Sequence, residues 1–155
     1  MISSKLLKYF VNDRIQLVKD ADRVAVMYSW HKLDHAMLIL SSDMYNVVPV
    51  LNRDSQVVGL ISMARIARAA IQIEGMSFDN LNEMTVGDVM DQDVFKIKED
   101  FEFEDVLKML VDTSFICVVD DQDVFKGIIT RSDVLRGTNH LVHNLESAYD
   151  LVEKE

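Results

Sequence analysis

The chain predicts an α/β fold made of two β-α-β-β-α repeats packed with pseudo-two-fold symmetry, and three observations predict it. First, one run occurs twice, as Val57-Val58-Gly59-Leu60-Ile61-Ser62-Met63-Ala64-Arg65-Ile66 and as Phe125-Lys126-Gly127-Ile128-Ile129-Thr130-Arg131-Ser132-Asp133-Val134. Each copy reads as a glycine, a short apolar strand, a hydroxyl residue able to cap a helix, and the helix itself. Second, Gly59 and Gly127 lie 68 residues apart. That exceeds the roughly 20–50-residue period of solenoids, so two copies packed face to face fit better than a stack. Third, the apolar runs upstream follow one order in both halves.

In chain order, Leu6, Leu7, Phe10 and Val11 have helical spacing, which predicts a flanking helix over residues 1–12. The first repeat is expected over residues 13–74. Val24-Ala25-Val26-Met27 is a short strand, and Leu33, Ala36, Met37 and Leu40 form one helical stripe. Val47 to Leu51 is a buried strand in which Pro49 suits a start or an edge, because it has no N–H for a ladder. Asn52-Arg53-Asp54-Ser55 is turn chemistry, Val57 to Ile61 a strand, and Ser62 opens a helix to about Ile73. Gly75, Ser77, Asp79, Asn80 and Asn82 mark a connection.

The second repeat is expected over residues 83–139. Thr85 to Met90 is a helical lead-in and Val94 to Ile97 a strand. Phe103, Val106, Leu107 and Leu110 make a helical stripe, Phe115 to Val119 a strand, and Asp120 to Asp123 a turn. Val124 to Ile129 is a strand and Thr130 starts a helix. Leu141, Leu145, Ala148 and either Leu151 or Val152 suggest a terminal helix over residues 140–155.

The 155 residues are 49% apolar, enough for one domain with a core. A formal charge of −10 repels nucleic acid and leaves anionic ligands to a local basic pocket. A single cysteine, Cys117, sits in an apolar run, so no disulfide can form within the chain and a reducing compartment fits. No stretch reads as a signal peptide or transmembrane helix, because charges interrupt every long apolar run. The expectation is a cytoplasmic protein with no membrane partner.

Together the Val89-Met90 lead-in, the Pro49-Val50 strand and the doubled Gly-aliphatic-aliphatic-Ser/Thr pattern, completed by Asp133 in one copy, resemble a CBS-domain pair, or Bateman module. The resemblance covers nearly the whole chain. Within that family, Asp22-Arg23-Val24-Ala25, Tyr45 with Pro49-Val50-Leu51, and Val124 to Ile128 with Thr130-Arg131 look most like the small stand-alone pairs of Gram-positive bacteria that act as cyclic di-AMP receptors. Where those proteins carry two arginines after the Thr, this chain has Arg131-Ser132 followed by Asp133, which keeps the more general adenosine-nucleotide signature.

The resemblance implies a site in which Thr130, Arg131, Ser132 and Asp133 face Arg23, Val24, Ala25 and Val26 and the stretch Tyr45, Asn46, Val47 with Pro49. The chemistry suits a nucleotide. A carboxylate accepts ribose hydroxyls, a helix N-terminus offers free N–H groups to phosphate, and an arginine binds phosphate bidentately. Tyr45 offers a flat face to adenine, and Ala25 lets a base approach the strand. Thr130 and Asp133 equally satisfy a capping box, which stabilises any helix, and both readings are open. In the first copy Arg65 stands where the carboxylate would be, so that pocket is expected to bind ribose poorly. There Arg65 and Arg68 hold a lone phosphate, or else are exposed or pair with acidic residues.

His31 and His35 are four apart, but no third ligand is evident and no metal is expected. No placed and activated nucleophile or base points to an enzyme. The readings are therefore a sensor of cyclic di-AMP, a sensor of AMP, ADP or ATP, or a ligand-free dimerisation module. No cofactor is expected beyond the regulatory nucleotide. A homodimer is expected from the apolar helix faces. The resemblance implies a protein partner such as a (p)ppGpp synthetase or a metabolic enzyme.

Overall fold

The order β-α-β-β-α appears twice in the computed structural model, which describes residues 17–42, 46–72 and 81–148. The first half holds β1 (Lys19–Asp20), a 3-10 turn (Ala21–Arg23), β2 (Met27–Tyr28), α1 (Leu33–Leu40), β3 (Val47–Leu51), β4 (Val57–Ser62) and α2 (Met63–Gln72). The second holds α3 (Val86–Val89), β5 (Lys96–Lys98), α4 (Phe103–Asp112), β6 (Phe115–Val119), β7 (Phe125–Thr130) and α5 (Arg131–Ala148). The expected helix over residues 1–12 and the Tyr45 side chain lie outside the described residues.

Two sheets result. One has the order β2-β3-β4 and the other β1-β7-β6-β5. β2 runs parallel to β3, and β5 parallel to β6, each across a helix, while β3–β4 and β6–β7 are antiparallel hairpins. The strand β1 opens the first repeat in sequence yet pairs with β7 in the second, Lys19 with Ile128 and Asp20 with Gly127. The reciprocal contact is an isolated bridge from Asp91, in the lead-in of the second repeat, to Leu60 on β4. Its two backbone bonds are 2.7 and 2.8 Å. Each lead-in therefore crosses to the other repeat's sheet.

The crossing explains the paired glycines. A Cβ on Gly127 would collide with the carbonyl oxygen of Lys19, and one on Gly59 would lie 2.9 Å from that of Asp91. Only a residue without a side chain lets a backbone pass that close.

The hairpin turns repeat as faithfully. Asn52 Oδ1 accepts the N–H groups of Asp54 and Gln56, and Asp120 Oδ1 accepts those of Gln122 and Val124. Ser55 and Asp123 both adopt positive φ, 60° and 62°. The two turns then pair with each other: Gln56 bridges Val124, Phe125 N–H donates to Ser55 O at 2.9 Å, and Gln56 Nε2 donates to Gln122 O at 2.7 Å.

Three apolar clusters hold the molecule. Leu33, Ala36 and Leu40 of α1 pack with Val48, Val50 and Ile61 of the first sheet and Ile66 of α2. Phe103, Val106 and Leu110 of α4 pack with Ile116, Val118, Ile129 and Val134. Between the sheets lie Leu51, Val57, Cys117, Val119 and Phe125, with Val24, Val26, Leu60 and Ile128 against them. Burial of each large aliphatic side chain contributes about 1.5–3 kcal/mol, so the third cluster is what fastens one repeat to the other.

Three boundaries differ from the expected ones. The strand expected at Val24 begins at Met27, because residues 21–23 wind a 3-10 turn closed by Val24 N–H on Ala21 O. The strand expected over Val94–Ile97 is Lys96–Lys98. The helix that starts at Arg131 continues without a break to Ala148, rather than handing over to a separate helix near residue 140.

Candidate functional site

Strand alternation places the cleft-facing residues. On β7, Ile129 enters the second repeat's own core, while Ile128 enters the cluster between the sheets. Thr130, two residues on from Ile128, shares its inter-repeat face and is half-buried. On β3, Val48 and Val50 point into the first repeat's core, so Val47 and Pro49 face the other way. Val47 keeps 36% of its surface exposed, whereas Pro49 is buried opposite Leu60. Val24 and Val26 join the inter-repeat cluster, and Ala25 packs on the first repeat's core. Arg23, Asn46 and Ser132 are exposed.

At the mouth of this face, Thr130 Oγ1 donates to Asp133 Oδ2 at 2.6 Å, and Asp133 N–H donates back to Thr130 Oγ1 at 3.1 Å. Asp133 Oδ1 accepts from Arg136 Nη1 at 2.7 Å, one helical turn on. The first repeat is an internal control for the capping reading. Ser62 Oγ accepts Arg65 N–H at 3.3 Å, so the hydroxyl caps its helix with no carboxylate at the third position. The cap alone does not demand Asp133.

Arg131 is placed otherwise than the resemblance implied. Its Nε donates to Leu110 O at 2.8 Å, and its Nη2 to Thr113 O at 2.7 Å and Val111 O at 3.3 Å. The guanidinium closes the C-terminus of α4, where unpaired carbonyls and the helix dipole favour a cation. The corresponding end of α1 is closed by serines, with Ser41 Oγ on Leu38 O and Ser42 Oγ on Ile39 O. Among the described residues Nε and Nη2 of Arg131 are engaged, and Nη1 is left for a ligand.

In the first repeat, Arg65, at the position equivalent to Asp133, pairs with Asp91 at 2.5 Å. That guanidinium holds the Asp91 carboxyl below the usual carboxylate range. Of the possibilities open to Arg65, pairing with an acidic residue is the one observed, on a partly exposed side chain. A cleft of about 360 Å³ lies alongside, lined by Arg65, Arg68, Ala69, Met84, Asp88, Val89 and Met90. Sequence reasoning missed both Arg136 and Asp91. The i, i+3 spacing of Asp133 and Arg136 was a readable signal, whereas Asp91 reaches Arg65 only through the crossing lead-in.

Cys117 is fully buried in the inter-repeat cluster, and burial pushes its thiol up to about 12. His31 and His35 meet edge to face at 5.2 Å. Among the described residues no group of three or more His, Cys, Asp or Glu is placed to hold a metal ion, and no helix is long and apolar enough to cross a membrane.

Two copies of the family model described as the CBS domain match the chain, over residues 18–72 and 86–139. The chain belongs to the CBS-domain family. This CBS pair is 32% identical over 130 residues to the cyclic di-AMP receptor B of Bacillus subtilis (strain 168), covering 84% of this chain and 88% of that protein. Among solved structures, CbpB from Streptococcus agalactiae superposes with a TM-score of 0.87 at 25% identity, covering 99% of this chain and 96% of that one. Listeria monocytogenes CbpB in complex with c-di-AMP gives 0.75 at 37% identity, covering 81% and 94%.

Proposed function

We propose that this CBS pair is a non-enzymatic receptor for cyclic di-AMP that acts in the cytoplasm and alters its hold on a protein partner when the nucleotide binds. The observation that carries the reading is its 37% identity, across 81% of the chain, to a protein solved with c-di-AMP bound. The inter-repeat face at Thr130 supports it. There Asp133 offers its remaining lone pairs to a ribose hydroxyl. In the first turn of α5 the Arg131 N–H is held by Ser114 O and the Asp133 N–H by Thr130 Oγ1, which leaves the Ser132 N–H for phosphate, and Nη1 of Arg131 adds a donor on an anchored guanidinium. Val24, Ala25, Val26, Tyr45, Asn46, Val47 and Pro49 would receive the base. The Cys117 thiol, held protonated at neutral pH, is no nucleophile. The partner class that the resemblance implies is a (p)ppGpp synthetase or a metabolic enzyme.

Asp133 also favours a second reading, an AMP, ADP or ATP sensor, because each of those ligands presents both the 2′ and 3′ hydroxyls. Side-by-side isothermal titration decides between them. Cyclic di-AMP is expected to bind tighter than AMP, with one site per chain at the Thr130–Asp133 loop. Asp133→Asn is expected to weaken AMP more than cyclic di-AMP, which keeps a single free hydroxyl on each ribose. AMP binding at least tenfold tighter, about 1.4 kcal/mol, would overturn the first reading in favour of the second. No heat with either ligand would overturn both.

A further inference from the structure

The single tryptophan of this chain is not in its core. Trp30 is 40% exposed on the corner between β2 and α1. It stacks on Tyr28 with ring centroids 4.7 Å apart and planes 22° from parallel, and the guanidinium of Arg53 lies 5.1 Å from its centroid. Lys32 and His35 are exposed on the same corner. Lys32 reaches the carbonyl of Glu83, at 3.4 Å, and lies close enough to Asp88 to help hold its carboxyl down. The nearby carboxylates are Asp34, which accepts the His35 N–H at 2.8 Å, Asp54 beside Arg53 in the exposed turn, and Asp88, which Lys32 and the Thr85 N–H and hydroxyl hold.

The second repeat shows that the fold does not require this chemistry. Matching α1 to α4 and the Asn52 turn to the Asp120 turn puts Asp100 at the place of Trp30, Glu102 at that of Lys32, Asp105 at that of His35 and Asp121 at that of Arg53. Tyr28 corresponds to Lys98, which pairs with Asp123; the other four positions change from aromatic or basic to acidic, in a chain of formal charge −10. Tryptophan, tyrosine and arginine are the residues that dominate binding energy at protein interfaces. Here they are pre-stacked, so little side-chain entropy is left to lose.

We propose that the Tyr28–Trp30–Arg53 corner is a docking surface for a carboxylate-rich segment of a partner protein. Arg53 and Lys32 would meet the carboxylates, and the exposed part of Trp30 would cover an apolar or aromatic residue between them. Tyr28 also packs against the inter-repeat cluster, with Trp30 and Arg53 outward of it, and the proposal does not depend on which nucleotide binds.

The test is fluorescence anisotropy of a labelled synthetic peptide of alternating glutamate and phenylalanine, titrated with the full chain without nucleotide. Saturable binding is expected, weakened at least tenfold by Arg53→Ala and by Trp30→Ala and unchanged by Asp121→Ala at the equivalent corner. Both substituted side chains are solvent-exposed, and circular dichroism checks that the variants fold. A peptide with glutamine for glutamate is expected to lose the binding. Equal binding of the two peptides, or no saturable binding, would overturn the proposal. So would self-association abolished by Arg53→Ala, which would assign the corner to the acidic corner of a second copy.

Discussion

Arg131 shows how one side chain can fit a binding motif and still be held by the scaffold. It follows the capping Thr130, as the family resemblance requires, yet Nε and Nη2 are bound to three carbonyls of the α4 terminus. Two effects of Arg131→Ala therefore have to be separated. The lost carbonyl bonds are expected to cost about 1–2 kcal/mol of stability, at the lower end for bonds to a charged group because the guanidinium is exposed. Urea unfolding reads that directly. Titration of the folded variant then shows what remains for the ligand, and Arg131→Lys, which keeps the charge without the planar fork, is expected to recover less than half of the lost stability. Unchanged stability in Arg131→Ala would show that the cap contributes nothing and leave the guanidinium to the ligand.

At the scale of elements, the crossing lead-ins join the repeats, and the glycines permit the crossing. The two are not equally exacting. At Gly127 the obstacle to a Cβ is backbone, the carbonyl of Lys19, whereas at Gly59 the nearest atom is the flexible end of Met90, at 2.5 Å. Gly127→Ala is expected to destabilise by about 2–3 kcal/mol, the upper range for overpacking, and to release β1 from β7. Hydrogen exchange at Lys19 and Asp20 measures the release. Gly59→Ala is expected to cost less, since Met90 can move, although the Asp91 carbonyl must also give. If the two substitutions cost the same, the crossing of β1 is not the tighter one.

At the scale of the whole molecule, charge and surface set the behaviour. Asp88 is held below its ordinary range by the Thr85 backbone N–H and hydroxyl, Asp91 by Arg65, and His31 below its own by burial with His35 adding to it. In all three the folded value is depressed, so the unfolded chain takes up the proton first as pH falls. Their stabilisation is present above the ordinary values, about 6.5 for His31 and about 4 for the carboxyls, and is lost as pH drops through the folded ones. The urea midpoint is expected to be flat from about pH 7 to about 8.5, to fall above that because the Cys117 thiol ionises first in the unfolded chain, to decline slightly below about 6.5 and to fall steeply below about 4, with Asp91→Asn flattening part of the acid limb. A midpoint that rises on acidification below about pH 7 would contradict these pairings. Leu38, Ile71, Val111, Leu135 and Val142 are exposed apolar residues on four helices. Light scattering is expected to give a particle of twice the 17.7 kDa chain mass, and a monomer at micromolar concentration would count against the homodimer.

What the sequence determined by itself was whatever local pattern encodes. The helical stripe of Leu33, Ala36 and Leu40, the apolar runs at 47–51 and 115–119, and the turns at Asn52 and Asp120 were all legible, because periodicity and turn chemistry act within a few residues. So was the asymmetry between Arg65 and Asp133, which needs only the repeat to be aligned with itself. Tertiary structure alone decided the rest. Lys19-Asp20 has no apolar pattern and becomes a strand only because the edge of β7 has backbone groups to satisfy. Arg131 turned to the α4 carbonyls because that helix ends beside it, 20 residues away in sequence. The Asp91–Arg65 pair and the reason for each glycine depend on a lead-in crossing to the other repeat. Contacts between segments far apart in the chain leave no mark on either segment's own pattern, and those contacts decide which side chains remain free for a ligand.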